Sequence, residues 1–95
     1  MEKLYEVDQP SIQLIVYPTS VEITESRGLF GFLSPRKEII PVENIVSVGA
    51  SWRDESLLIL TADGEDRRYQ IGSIEKAKAL KELILSLLPV PVQSV

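Results

Sequence analysis

Proton transfer near neutral pH is most often carried by histidine, and this 95-residue sequence has none. It has no cysteine either, so a thiol nucleophile, a thiolate metal site and a disulfide are all absent. Carboxylates, hydroxyls and cations remain. Two adjacent acid pairs, Asp54-Glu55 and Glu65-Asp66, are the nearest thing to an acid–base couple. Neighbours on a strand or turn point in different directions, whereas general acid–base chemistry needs two groups converging on one reacting atom. Asp63, Glu65 and Asp66 lack the regular spacing and terminal bidentate glutamate of a calcium loop. The sequence therefore predicts no catalytic residue, no metal site, no cofactor and no identifiable small-molecule substrate, and the protein is expected not to be an enzyme.

The residues that ask for a role lie between Arg27 and Lys37. Both phenylalanines of the chain, Phe30 and Phe32, stand there with Leu29 and Leu33, beside Gly28 and Gly31 and flanked by Arg27, Arg36 and Lys37. Three roles fit. The apolar residues complete the core or fold over an open barrel edge. Alternatively they form a protein interface, in which aromatic side chains supply contact area and arginine supplies hydrogen bonds. In the third, the apolar tip enters a lipid interface while Arg27, Arg36 and Lys37 meet anionic headgroups. A wider basic pocket is not expected, because Arg67 and Arg68 are strand neighbours that should face opposite sides. Gly28-Leu29-Phe30-Gly31 matches a nucleic-acid-clamping Gly-x-x-Gly only superficially, since its filling is apolar and its context β. A formal net charge of −4 likewise argues against non-specific nucleic-acid binding, which needs a basic surface to displace counterions.

The elements that must position these residues are mostly strands. Ser11 to Tyr17 reads as a largely buried strand, Pro18-Thr19-Ser20 as a tight turn, and Val21 to Glu25 as an alternating return strand. Lys37 to Val42 and Ile45 to Ser51 are further strands, and a weaker one occupies Lys3 to Val7. Asp63-Gly64 predicts a two-residue turn with positive φ at both positions, joining Ser56–Thr61 to Arg67–Ile71. From Ser73 the period changes. Ile74, Ala77, Leu80, Ile84, Leu87 and Leu88 share one side of a helical wheel opposite Glu75, Lys78, Glu82 and Ser86. Ser73 suits an N-cap and Pro89 a stop, so a helix is expected from Ser73 to Leu88, followed by an extended tail over 89–95.

A chain this short holds one hydrophobic core, and 44% hydrophobic with 25% charged residues is ordinary for a folded domain. One domain is expected over 1–95, with its core in 11–88. No run is long enough to span a bilayer and the first residues lack the apolar core of a signal peptide, so a cytoplasmic location is expected.

Several short antiparallel strands followed by one amphipathic helix is the order of a pleckstrin-homology-like barrel. Leu14-Ile15-Val16-Tyr17-Pro18-Thr19-Ser20-Val21-Glu22-Ile23 and Lys37-Glu38-Ile39-Ile40-Pro41-Val42-Glu43-Asn44-Ile45-Val46-Ser47-Val48 resemble the opening hairpin and middle passage of bacterial members. Leu58-Ile59-Leu60-Thr61-Ala62-Asp63-Gly64, followed by a strand and a helix, fits as well. The resemblance spans roughly Ser11 to Leu88. It implies a mainly β fold: an antiparallel, partly open barrel or roll of about seven strands, capped by the C-terminal helix. It also implies a self-assembling, non-enzymatic binding or scaffold domain, hence a homo-oligomer or a protein partner. Anionic lipid is the alternative partner. The cations that phosphoinositide-holding members carry around the first hairpin have no counterpart in Pro18-Thr19-Ser20.

Overall fold

The computed structural model describes residues 2–25 and 36–88. Within them, alternating apolar residues form β1 (Tyr5–Asp8), β2 (Ile12–Val16), β3 (Ser20–Glu25) and β4 (Arg36–Pro41), an antiparallel sheet in that spatial order. Successive strand side chains point to opposite faces. One cross-strand row therefore aligns Val7, Leu14 and Ile23 on the inner face, and another aligns Val16, Val21 and Ile40. All six are buried. The predicted hairpin is present, with the Tyr17 N–H donating to the Ser20 carbonyl at 2.8 Å across Pro18-Thr19. A second tight turn, at Pro10-Ser11, is closed by the Gln9 N–H on the Ile12 carbonyl at 2.8 Å.

The expected strand through Val42 ends one residue earlier. Val42 is buried and opens a single 3₁₀ turn, Val42–Asn44, its N–H making the last bond of the β3–β4 ladder to the Thr19 carbonyl at 2.9 Å. That turn carries the chain into a second antiparallel sheet of β5 (Ile45–Ser51), β6 (Ser56–Thr61) and β7 (Asp66–Gln70). Ile71 is buried as the pattern requires and stands just past the end of β7, where its N–H closes the β6–β7 ladder on the Glu55 carbonyl at 3.2 Å.

The β6–β7 connection also differs from expectation. Gly64 has φ of 85° but Asp63 does not adopt a positive φ, and the Gly64 N–H donates to the Thr61 carbonyl at 2.9 Å. The loop is thus the longer hairpin type, a turn over Thr61–Gly64 closed by a left-handed glycine, rather than a two-residue turn. Asp63 explains the choice, because its carboxylate accepts the Thr61 hydroxyl and the Glu65 N–H (3.1 Å), bonds that favour a turn over positive φ.

The period-3.6 segment is a helix, α1 (Ile74–Leu87), capped by the Ser73 hydroxyl accepting the Lys76 N–H at 3.3 Å. Ala77, Leu80 and Ile84 are fully buried against β5 and β6. Leu88 is already extended, at φ −64° and ψ 134°, as a residue before proline should be. Among the described residues the result is a partly open roll of seven antiparallel strands in two sheets, not a closed barrel, with one terminal helix and one core shared by all three layers. No helix among the described residues is long and apolar enough to cross a membrane.

Candidate functional site: the polar seam between the sheets

An open roll leaves strand edges with unpaired backbone groups, and charged residues on such edges discourage further pairing. β4 and β7 are edge strands of their respective sheets, and each places a charge where its alternation calls for an apolar residue. Glu38 lies opposite Ile23 on the inner face, and Arg67 lies opposite Ile59. These two misplaced charges meet. Arg67 Nε donates to Glu38 Oε2 at 2.8 Å, and the Tyr69 hydroxyl donates to Glu38 Oε1 at 2.7 Å, so one carboxylate ties β4 to β7 twice. The rest of the guanidinium is engaged as well, at 2.6 Å to the Thr61 hydroxyl and 3.1 Å to Glu65.

The electrostatics follow from this geometry. Burial pushes the Glu38 carboxyl up, but the hydrogen bonds from Tyr69 and Arg67 outweigh it and leave the group below its usual range. Burial and the Glu38 bond both raise the Tyr69 phenol, which stays a neutral donor. The Glu38 hydrogen bond raises Arg67. On one side of this knot is a cleft of about 390 Å³ lined by Ile39, Pro41, Asn44, Ala62 and Asp63 together with Glu38 and Arg67. On the other is a polar cleft of about 290 Å³ lined by Glu25, Arg36 and Glu65 and by the β7 edge over Asp66–Arg68. Chemically, the knot is a mutual satisfaction of donors and acceptors that fastens two sheet edges without backbone pairing.

The second organised feature is the β5–β6 turn. Glu55 has φ of 56°, and its carbonyl accepts both the Ile71 and Gly72 N–H groups, each at 3.2 Å. Asp54 pairs with Arg68, and its backbone carbonyl accepts Gln70 Nε2 at 2.8 Å. The Ser51 hydroxyl first, then Arg68 and Ser56, hold the Asp54 carboxyl below its ordinary value. This well-fastened turn leaves Trp52 69% exposed, with Lys78 Nζ 4.6 Å from the ring centroid.

Of the residues singled out from sequence, Arg27, Leu29, Phe30, Phe32 and Leu33 lie outside the described residues. Arg36 and Lys37 open β4 and, as strand neighbours, face opposite sides. Lys37 pairs with Glu22 at 3.3 Å while Arg36 lines the polar cleft, so the structure does not bring them to one anion site. Arg67 and Arg68 do face opposite ways, each toward carboxylates. The acid pairs are divided among cations: Asp54 goes to Arg68 and Glu65 to Arg67. Among the described residues no cluster of acids is arranged to hold a metal ion. Sequence inspection missed the Glu38–Arg67–Tyr69 knot, although opposite charges on the apolar phase of two strands were a usable signal. No family model, no curated protein and no solved structure matches this chain.

Proposed function

We propose that this chain is a non-enzymatic binding or assembly domain, resembling bacterial pleckstrin-homology-like modules, that associates with copies of itself or with a protein partner. The carrying observation is Trp52, an exposed aromatic on a turn whose backbone and carboxylate are fastened on both sides. A pre-ordered aromatic contributes contact area on binding while losing little conformational freedom. Ile39, 56% exposed on the outer face of β4, supports the same reading. Arg36 and Lys37 face carboxylates, which favours a protein partner over anionic lipid.

Solution mass measured over a wide concentration range is the test. The parent is expected to gain mass as concentration rises. Phe30→Ser with Phe32→Ser, and separately Trp52→Ala, then show which apolar group contributes. An interface variant loses mass but keeps the parent's unfolding midpoint, because interface side chains add little to a lone domain's core. A parent that stays monomeric and instead sediments with anionic vesicles at low salt refutes self-association and restores the lipid alternative.

A further inference from the structure

The outer face of the second sheet carries an apolar pattern that the core does not use. Along β6, Leu57 and Ile59 point inward and are completely buried, so Leu58 and Leu60 point outward. Both stand outside the core cluster. Their cross-strand neighbours are small on one side and oppositely charged on the other. Leu58 lies between Gly49 of β5 and Arg68 of β7, and Leu60 lies between Ser47 and Asp66. A solvated strand face ordinarily carries polar residues at such positions.

We infer that this face is a homodimer interface, in which the β5–β6–β7 sheets of two copies pack face to face about a two-fold axis crossing the strands between the Leu58 and Leu60 rungs. That operator sets Leu58 of one copy against Leu60 of the other and Arg68 against Asp66, while Gly49 meets Ser47. The Arg68–Asp66 pair forms twice, with Arg68 also keeping Asp54 of its own chain, and each leucine meets a leucine, which is the self-complementarity a two-fold interface demands. Gly49 and Ser47 leave the β5 side low, so the sheets can approach closely there, and strands run aligned as in a sandwich. An axis along β6 would instead set Arg68 over Gly49 and Asp66 over Ser47, and would form no charge pair across the interface. The inference deepens the proposed self-association by naming its surface, and it rests on that reading.

Gly49→Thr tests the interface with opposite signs for the two properties. A Cβ at Gly49 meets only Leu58 atoms, at 3.9 and 4.0 Å, which is ordinary contact, and no positive φ forbids a side chain. Threonine also favours a strand over glycine, so the monomer's unfolding midpoint should hold or rise. The dimer should weaken at least roughly tenfold, because the added side chain holds the sheets apart. A charge reversal provides the second arm. Asp66→Arg sets like charges across the axis and should dissociate the dimer. A Gly49→Thr protein that dimerises like the parent, or an Asp66→Arg protein that does so, overturns the interface. If Phe30→Ser with Phe32→Ser dissociates the parent while these variants do not, self-association stands and this surface falls. A parent that is monomeric at every concentration refutes both.

Discussion

Removing the Glu38 carboxylate should loosen the roll at its seam. Glu38→Ala deprives the Tyr69 hydroxyl, on a residue only 4% exposed, of its acceptor and takes from Arg67 its Nε partner. A hydrogen bond to a charged group contributes about 1.5–3 kcal/mol. Two bonds give an upper bound near 6 kcal/mol, but the Glu38 and Arg67 side chains are 30% and 19% exposed, so water compensates in part. Arg67 also keeps Thr61 and Glu65. The expected loss is about 2–3 kcal/mol, read as a lower urea midpoint at unchanged slope. Tyr69→Phe removes one bond and should cost about 1–1.5 kcal/mol. The two variants combined should lose less than their sum, because they share an interaction. The pH dependence has a definite sign. Glu38 is depressed in the fold, so its contribution is fully present above the ordinary carboxylate pKa of 4.5 and is lost as pH falls through the depressed value. Glu38→Gln should therefore flatten the acid limb of the stability profile. If Glu38→Ala unfolds with the parent at pH 7, the seam is held by something else and the reasoning fails.

Leu80→Ala and Ile84→Ala, at completely buried positions of α1, should each lower stability by about 2–5 kcal/mol, and denaturant midpoints near the parent's would show that the helix does not close the core. Gly64→Ala should cost about 1–2 kcal/mol although a Cβ there meets nothing within 4 Å, because the penalty comes from its φ of 85°; an unchanged melting temperature would mean that the loop relaxes into another turn.

The pattern of the chain by itself determined the strands, the helix and their order. In β2 and β3 the apolar alternation admits only one inner face, since a shift of one residue would turn Leu14, Val16, Val21 and Ile23 to solvent together. Helix α1 was legible for the same reason, its stripe being periodic and its start marked by Ser73. Local chemistry misled where competing bonds were available. Asp63-Gly64 carried a two-residue turn signal, but the Asp63 carboxylate found Thr61 and Glu65 and selected another loop. Val42 looked like strand, but its carbonyl takes the Ile45 N–H and the chain turns there into the 3₁₀ turn Val42–Asn44.

Only the tertiary structure decided which charges meet. Glu38 and Arg67 are 29 residues apart, and nothing local to either says that β4 and β7 end up as facing edges of two sheets. The same holds for Arg36 and Lys37, adjacent in sequence and therefore easily imagined on one anion, but sent by the strand's two-residue period to opposite faces. Sequence periodicity fixes the face on which a side chain stands, because that is a property of one element's backbone. What stands across from it depends on how two sheets are joined, which is settled by burying the core as a whole and not by any segment alone.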